Sequence, residues 1–216
     1  MPRLPMFPLG TVLFPHKVLP LHVFEPRYRA LVQDVLADGQ EFGVVLITRG
    51  HEVGGGESRS DVGTVARVLQ SEELDDGRYL LISIGTRRIR VTEWLPDDPY
   101  PCAMVEDWPD DPPSTADTLV LRDRIAPRLR RVLAMHAELG NDGVPSTIDL
   151  ADDPDVACWQ AAVAAPLTPF DAQDVLTTPG CEDRFTRLDE LLADLEVVLR
   201  FQLEADAAAE HDDERD

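Results

Sequence analysis

The chain has 216 residues, 44% of them hydrophobic, which is room for one medium domain or two small ones each with its own core. Its formal net charge of -21 is spread along the whole length: residues 1–113 carry 11 basic and 18 acidic side chains, residues 114–216 carry 9 and 23. Neither half offers the basic stripe that supplies affinity for a polyanion through counterion release, so nucleic acid is excluded as an expected partner.

Prolines at 5, 8, 15 and 20 forbid a helix through the first two dozen residues, and their spacing between apolar neighbours predicts edge strands and tight crossings in a small barrel. A helix is expected to start at Glu25, with Pro26 in the first helical position, where a missing N–H loses nothing. Tyr28, Leu31, Val32, Val35 and Leu36 repeat at helical spacing before Gly39 ends the run. The apolar runs Phe42–Thr48 and Val62–Leu69 suit buried strands, and Tyr79–Ile84 with Arg88–Thr92 reads as a hairpin turning at Gly85-Thr86. Between the first two runs, the glycine-rich segment Gly50–Ser60 has no apolar anchor and is expected to be a mobile loop. A last strand over Tyr100–Glu106 closes the barrel, after which WPDDPPST at 108–115 stops the sheet and marks a domain boundary.

In the second half, Ser114 with Asp117 signals a helix reaching about Leu139, which Pro127 is expected to kink or divide. Asp153-Pro154 opens a second helix and Thr168-Pro169 with Asp171 a short third. Phe185, Leu188, Leu192, Leu195, Leu199 and Leu203 form an apolar stripe along a helix from about Glu182 to Ala205. Residues 204–216 hold seven acids and one arginine, the composition of a solvated, disordered tail. The expected organisation is a barrel over 1–113, a helical bundle over 114–206 and an acidic tail over 207–216.

LPMFPLGTVLFPHKVLPLHVFEPRYRALVQDVL at 4–36, FGVVLITRG at 42–50, DVGTVARVLQ at 61–70 and DDGRYLLISIGTRRIRV at 75–91 together resemble the N-terminal substrate-binding domain of Lon proteases. PLTPFDAQDVLTTPGCEDRFTRLDELLADLEVVL at 166–199 resembles the helical extension that follows the barrel in that family. The resemblance implies an α+β protein, a PUA-like β-barrel followed by a C-terminal helical bundle, without the ATPase and protease modules of a full-length Lon. It also implies protein or peptide binding and a place in protein quality control. The residues it nominates for peptide contact are Phe24, Glu25, Arg27 and Tyr28 at the strand–helix junction, with His51 and Val53 in the glycine-rich segment. For Glu25, Arg27 and Arg29 the favoured reading is structural, in which they cap and brace the helix against the barrel, ahead of one in which they orient a bound peptide.

Catalytic machinery is tested directly by the lysine count. A Walker A loop and a Ser-Lys dyad each require a lysine in a defined setting, and the chain's single lysine, Lys17, sits in Pro15-His16-Lys17-Val18, which has neither motif nor partner serine. Gly56-Glu57-Ser58-Arg59-Ser60 begins like a hydrolase nucleophile elbow but ends in serine and lacks the strand-to-helix context. The five histidines have no ligand spacing, the Asp-Asp-Pro sites at 97, 110 and 152 read as acidic turns, and no metal or cofactor is expected. Cys102, Cys158 and Cys181 lack a CxxC spacing and read as reduced thiols. No apolar run approaches the roughly 18 residues of a membrane span, and prolines break up the N-terminus where a signal peptide needs an apolar helix, so a cytoplasmic protein without membrane contact is expected. Arg124, Arg128 and Arg131 form a basic stripe, read as a solvated face paired with nearby carboxylates or as a dock for an acidic partner.

The favoured reading is a non-catalytic binding module for unfolded or exposed polypeptide segments, an adaptor or weak holdase that works with a separate protease. The alternative is a small-metabolite-binding protein or enzyme with a cleft between barrel and helices. A long apolar groove beside a free strand edge favours the first, an enclosed polar pocket the second.

Overall fold

The computed structural model describes residues 2–50, 57–110 and 115–213. The chain separates into two compact units, Met1–Pro109 and Asp110–Asp216.

The first unit is a six-stranded mixed sheet with one helix: β1 Arg3–Leu9, β2 Val18–Val23, α1 Pro26–Ala37, β3 Glu41–Arg49, β4 Ser58–Glu73, β5 Tyr79–Trp94 and β6 Cys102–Asp107. The strand order is β2-β5-β4-β3-β1-β6, and β6 also pairs with β5, so five strands close a ring and β2 hangs from it by one ladder. β1 runs parallel to β3 through Met6–Leu9 and antiparallel to β6 through Arg3–Pro5. α1 starts as its sequence requires, with Glu25 extended at the N-cap position and Pro26 following, and it buries Tyr28, Leu31, Val32 and Val35. Its end is equally local, because Gly39 adopts φ of +77°, a conformation that glycine enters without strain.

Gly85-Thr86 does not make the expected hairpin, since Tyr79–Trp94 is one continuous strand of 16 residues. Gly85 marks a close backbone approach instead. A Cβ there would lie 2.2 Å from the Phe14 carbonyl oxygen, and the Gly85 backbone exchanges hydrogen bonds with His16 and Lys17, His16 N–H donating to its carbonyl and its N–H donating to that of Lys17. β4 is also longer than its apolar run and begins at Ser58, so the segment read as a loop through Ser60 ends earlier; residues 51–56 lie outside the described residues. Register shifts between Thr64 and Ala66 and between Val68 and Gln70 bend the β4–β5 ribbon around the barrel.

The second unit holds α2 Thr115–Glu138, α3 Pro154–Ala164, α4 Pro169–Thr177 and α5 Cys181–Asp213. Pro127 does not divide α2, which remains one helix. Asp153 caps α3 by accepting hydrogen bonds from the Asp155 and Val156 N–H groups, and Thr168 caps α4 from Asp171 N–H. α5 continues through Asp213, so the segment 207–213 assigned by composition to a disordered tail is helical. Arg124 and Arg128 pair with Asp189, and Arg128 and Arg131 with Glu196, so the basic stripe is held by α5 and not left for a partner. Because 124 faces 189 while 131 faces 196, α2 and α5 run parallel.

Arg184 is fully buried in this unit. Its guanidinium makes a two-pronged pair with Asp110 at 2.9 and 2.7 Å, donates to the Thr178 carbonyl, and lies 3.7 Å over the Trp159 ring. Removing one member of such a pair strands the other in low dielectric. Arg184→Leu is therefore expected to destabilise the helical unit by about 3–5 kcal/mol, and Arg184→Lys to restore little, because a point charge cannot reproduce the planar fork. Urea unfolding followed by far-UV circular dichroism checks this; an unchanged midpoint for both variants would show that the pair contributes nothing net.

Candidate functional site

The strand–helix junction builds a groove in the barrel unit. β2 delivers Pro20, Leu21, His22 and Val23, the connecting residues Phe24 and Glu25 turn the chain, and Tyr28 projects from the first turn of α1; Phe7 and Leu9 of β1 line the far side. The cavity is about 230 Å³ and its lining is mostly apolar. Its floor is fixed by aromatic packing: the Phe7 and Tyr28 rings stack at 4.1 Å between centroids with 12° between planes, and Phe42 packs tilted against Phe7 at 6.1 Å. Arg27 lies 4.5 Å over the Tyr28 ring and donates from Nε to Glu25 Oε2 at 3.2 Å.

Of the residues nominated from sequence, Phe24, Glu25, Arg27 and Tyr28 come together here, and His51 and Val53 lie outside the described residues. Their roles divide. Tyr28 is core, at 3% exposed, and so are Phe7 and Phe14, whereas Phe24 is 53% exposed on the rim and edge-on to His22 at 6.2 Å. Glu25 occupies the N-cap position without making a side-chain cap bond, so its carboxylate serves Arg27 and not the helix.

The Tyr28 hydroxyl is buried and has no hydrogen-bond partner among the described residues. Burial raises its pKa to about 12, with Arg27 pulling the other way. Tyr100 is likewise pushed up to about 12, first by burial and then by donating to Asp34 Oδ2 at 2.5 Å.

Sequence reasoning missed the outer rim. Val18, Pro20 and His22 alternate outward on β2, and Leu80 and Ile82 do so on β5, with Pro20 opposite Ile82 and His22 opposite Leu80 in register. Val18 is 53%, Leu80 41% and Ile82 37% exposed. The signal lay in the run Leu80-Leu81-Ile82, which reads as a strand buried on both faces; here its neighbours cover one face only.

The family model for the ATP-dependent protease La (LON) substrate-binding domain matches residues 3–194. The chain belongs to the Lon substrate-binding domain family. It is 38% identical over 105 residues to the Lon protease of Anaeromyxobacter dehalogenans, an alignment covering 48% of this chain and 12% of that protein. It is 26% identical over 200 residues to the Lon protease of Koribacter versatilis, covering 90% and 24%. The chain thus spans a minor part of the length of these relatives. The Lon N-terminal domain protein from Xanthomonas campestris superposes with a TM-score of 0.59 at 28% identity, covering 89% of this chain and 98% of that one. The N-terminal domain of Mycobacterium avium complex Lon protease gives 0.67 at 16% identity, a likeness of fold. The α+β architecture of the Lon substrate-binding domain is therefore the architecture of this chain. No described helix is long and apolar enough to cross a membrane.

The two raised phenols have a measurable consequence. A phenol whose folded pKa lies above its unfolded value of about 10 stabilises the fold below that pH, and the contribution is lost as pH rises toward about 12. Absorbance titration at 295 nm is expected to show Tyr28 and Tyr100 ionising near 12, with stability falling across the same window. Tyr28→Phe is expected to remove one of these high phenols without loss of stability, since no hydrogen bond is forfeited. Ionisation of both phenols near pH 10 in folded protein would contradict the burial argument.

Proposed function

We propose that this Lon substrate-binding domain is a non-catalytic polypeptide-binding module of the cytoplasm. Its barrel, residues 1–113, takes exposed apolar segments of unfolded proteins. It acts as an adaptor or weak holdase and passes clients to a protease carried on a separate chain. The observation that carries the reading is the groove between β1, β2 and the start of α1, with Phe24 exposed at its lip beside β2, which has a single ladder among the described residues. The family match supports the same ligand class.

The chemistry required is limited. A client side chain entering the groove exchanges water contact for the Phe7, Leu9, Leu21 and Val23 surface, and a solvent-facing aromatic at the lip adds contact area with little side-chain entropy to lose. Affinity is modest, because ordering a flexible client consumes much of the contact energy. An open groove with a strand along its side suits an extended chain better than a metabolite, which needs enclosure and convergent polar groups.

The test is fluorescence anisotropy with a permanently unfolded model protein as client. Binding is expected at micromolar concentrations and to change little between 50 and 500 mM salt, since apolar contacts are not screened. Phe24→Ser is expected to weaken it about 5- to 30-fold, the range for losing an aromatic anchor of 1–2 kcal/mol, with an unchanged melting temperature because Phe24 is 53% exposed. Binding that is absent, or that is indifferent to Phe24→Ser, would overturn the assignment.

A further inference from the structure

Beyond that reading, and in the other unit, we infer that the outer face of α5 docks a cationic amphipathic helix of a partner protein. That helix carries apolar residues opposite Val197 and Phe201, and lysine or arginine opposite Glu190, Asp194 and Glu204.

The first observation is an apolar face that the helical unit does not use. α5 buries Leu188, Leu192 and Leu199, and turns Asp189 and Glu196 toward the arginines of α2. Val197, Val198 and Phe201 point elsewhere and are 67%, 52% and 72% exposed. Single apolar side chains scattered over a surface need no explanation. Three of them within little more than one turn of a helix make a contiguous patch.

The second observation is the register of charge around that patch. Glu190, Asp194, Val197, Phe201 and Glu204 follow one another at intervals of four, three, four and three, so they form one row along the helix. This is the spacing of a coiled-coil seam, and what fits a seam is a second helix. The carboxylates bracket the apolar pair at both ends, and all three are exposed. Glu190 shares the guanidinium of Arg187 with Asp174, which leaves this end of the row with more negative than positive charge.

The same row decides what can occupy it. If two copies of the chain paired here in parallel, each carboxylate would face its own counterpart. If they paired antiparallel about Val197 and Phe201, Asp194 of one copy would face Glu204 of the other. Like charges placed opposite one another are destabilising in both arrangements, so a second copy is disfavoured. Anionic membranes and nucleic acid are repelled by the same carboxylates. A helix of opposite sign gains at every position, covering Val197 and Phe201 with apolar side chains and meeting the three carboxylates at the rim. Such rim charges choose the partner more than they tighten the complex.

Labelled helical peptides of about 18 residues, five turns, added to the intact chain and read by anisotropy, test this. The probe carries lysine, lysine, leucine, leucine and lysine at successive intervals of four, three, four and three on an alanine and glutamine background. One control replaces its lysines with glutamate, and another scrambles the same composition. The probe is expected to bind about tenfold more tightly than either control. The scrambled peptide separates docking on this face from general attraction to a chain of net charge -21. Phe201→Ser is expected to weaken the probe about 5- to 30-fold, with the melting temperature unchanged because the side chain is 72% exposed. Asp194→Lys is expected to weaken the lysine probe and strengthen the glutamate control, with added salt narrowing the difference. Absence of binding, equal binding of probe and scramble, or indifference to either substitution would overturn the inference. So would a concentration-dependent dimer in sedimentation that Phe201→Ser abolishes, because the face would then belong to a second copy. Binding of unfolded protein by the barrel is read separately through Phe24→Ser, so failure here leaves that function standing.

Discussion

β5 has to serve two strands along one of its edges, and the rest of the barrel unit follows from how it divides itself. Along its other edge it pairs with β4 from Tyr79 to Arg90. On the contested edge, Tyr79–Ile84 go to β2 and Ile89–Trp94 go to β6. β6 returns to β1 and so closes the ring, whereas β2 has no second strand partner among the described residues. An unprotected edge is normally blunted by charge, a bulge or a covering segment. Here Pro20, in the middle of β2 and without an N–H, is the guard.

The groove is rigid for a reason separate from the edge. Phe7 comes from β1 and Tyr28 from α1, and their stacking ties the start of the helix to the parallel β1–β3 pair. Arg27 over the Tyr28 ring and Glu25 on Arg27 complete a chain of contacts from the core outward to the lip. The residues of the junction thus divide by position: Arg27 and Glu25 brace, the inner aromatics form the floor, and Phe24 is exposed at the lip.

How far this was legible in the sequence depends on the range of the interaction that decides each feature. The start of α1 at Glu25-Pro26, the caps at Asp153 and Thr168 and the apolar stripe through Phe185, Leu188, Leu192 and Leu199 are written within a few residues of where they act. Gly85 was misread because a glycine serves equally well in a turn and under a passing backbone, and the backbone that passes belongs to Phe14, far away in sequence. The acidic end of α5 was misread because composition reports solvation, while helix continuation is decided by the turn before it. Phe24 and Tyr28 look alike as apolar residues four apart. Only the direction in which α1 leaves the sheet separates the buried one from the exposed one.

The two units place their charge differently. In the helical unit arginines pair with carboxylates across elements: Arg128 and Arg131 of α2 with Asp189 and Glu196 of α5, and Arg184 of α5 with Asp110. What is left over is negative. In the barrel, Arg67 and Arg87 are both drawn to Glu41, and Arg59 to Glu57 and Asp97. The one carboxylate in the groove lining, Glu25, is paired with Arg27. Net negative charge on both units gives two copies of the chain a mutual repulsion that salt screens. The exposed apolar row of Val18, Leu80 and Ile82 is therefore opposed by like charge wherever a second copy approaches it, a guard that Pro20 alone does not supply.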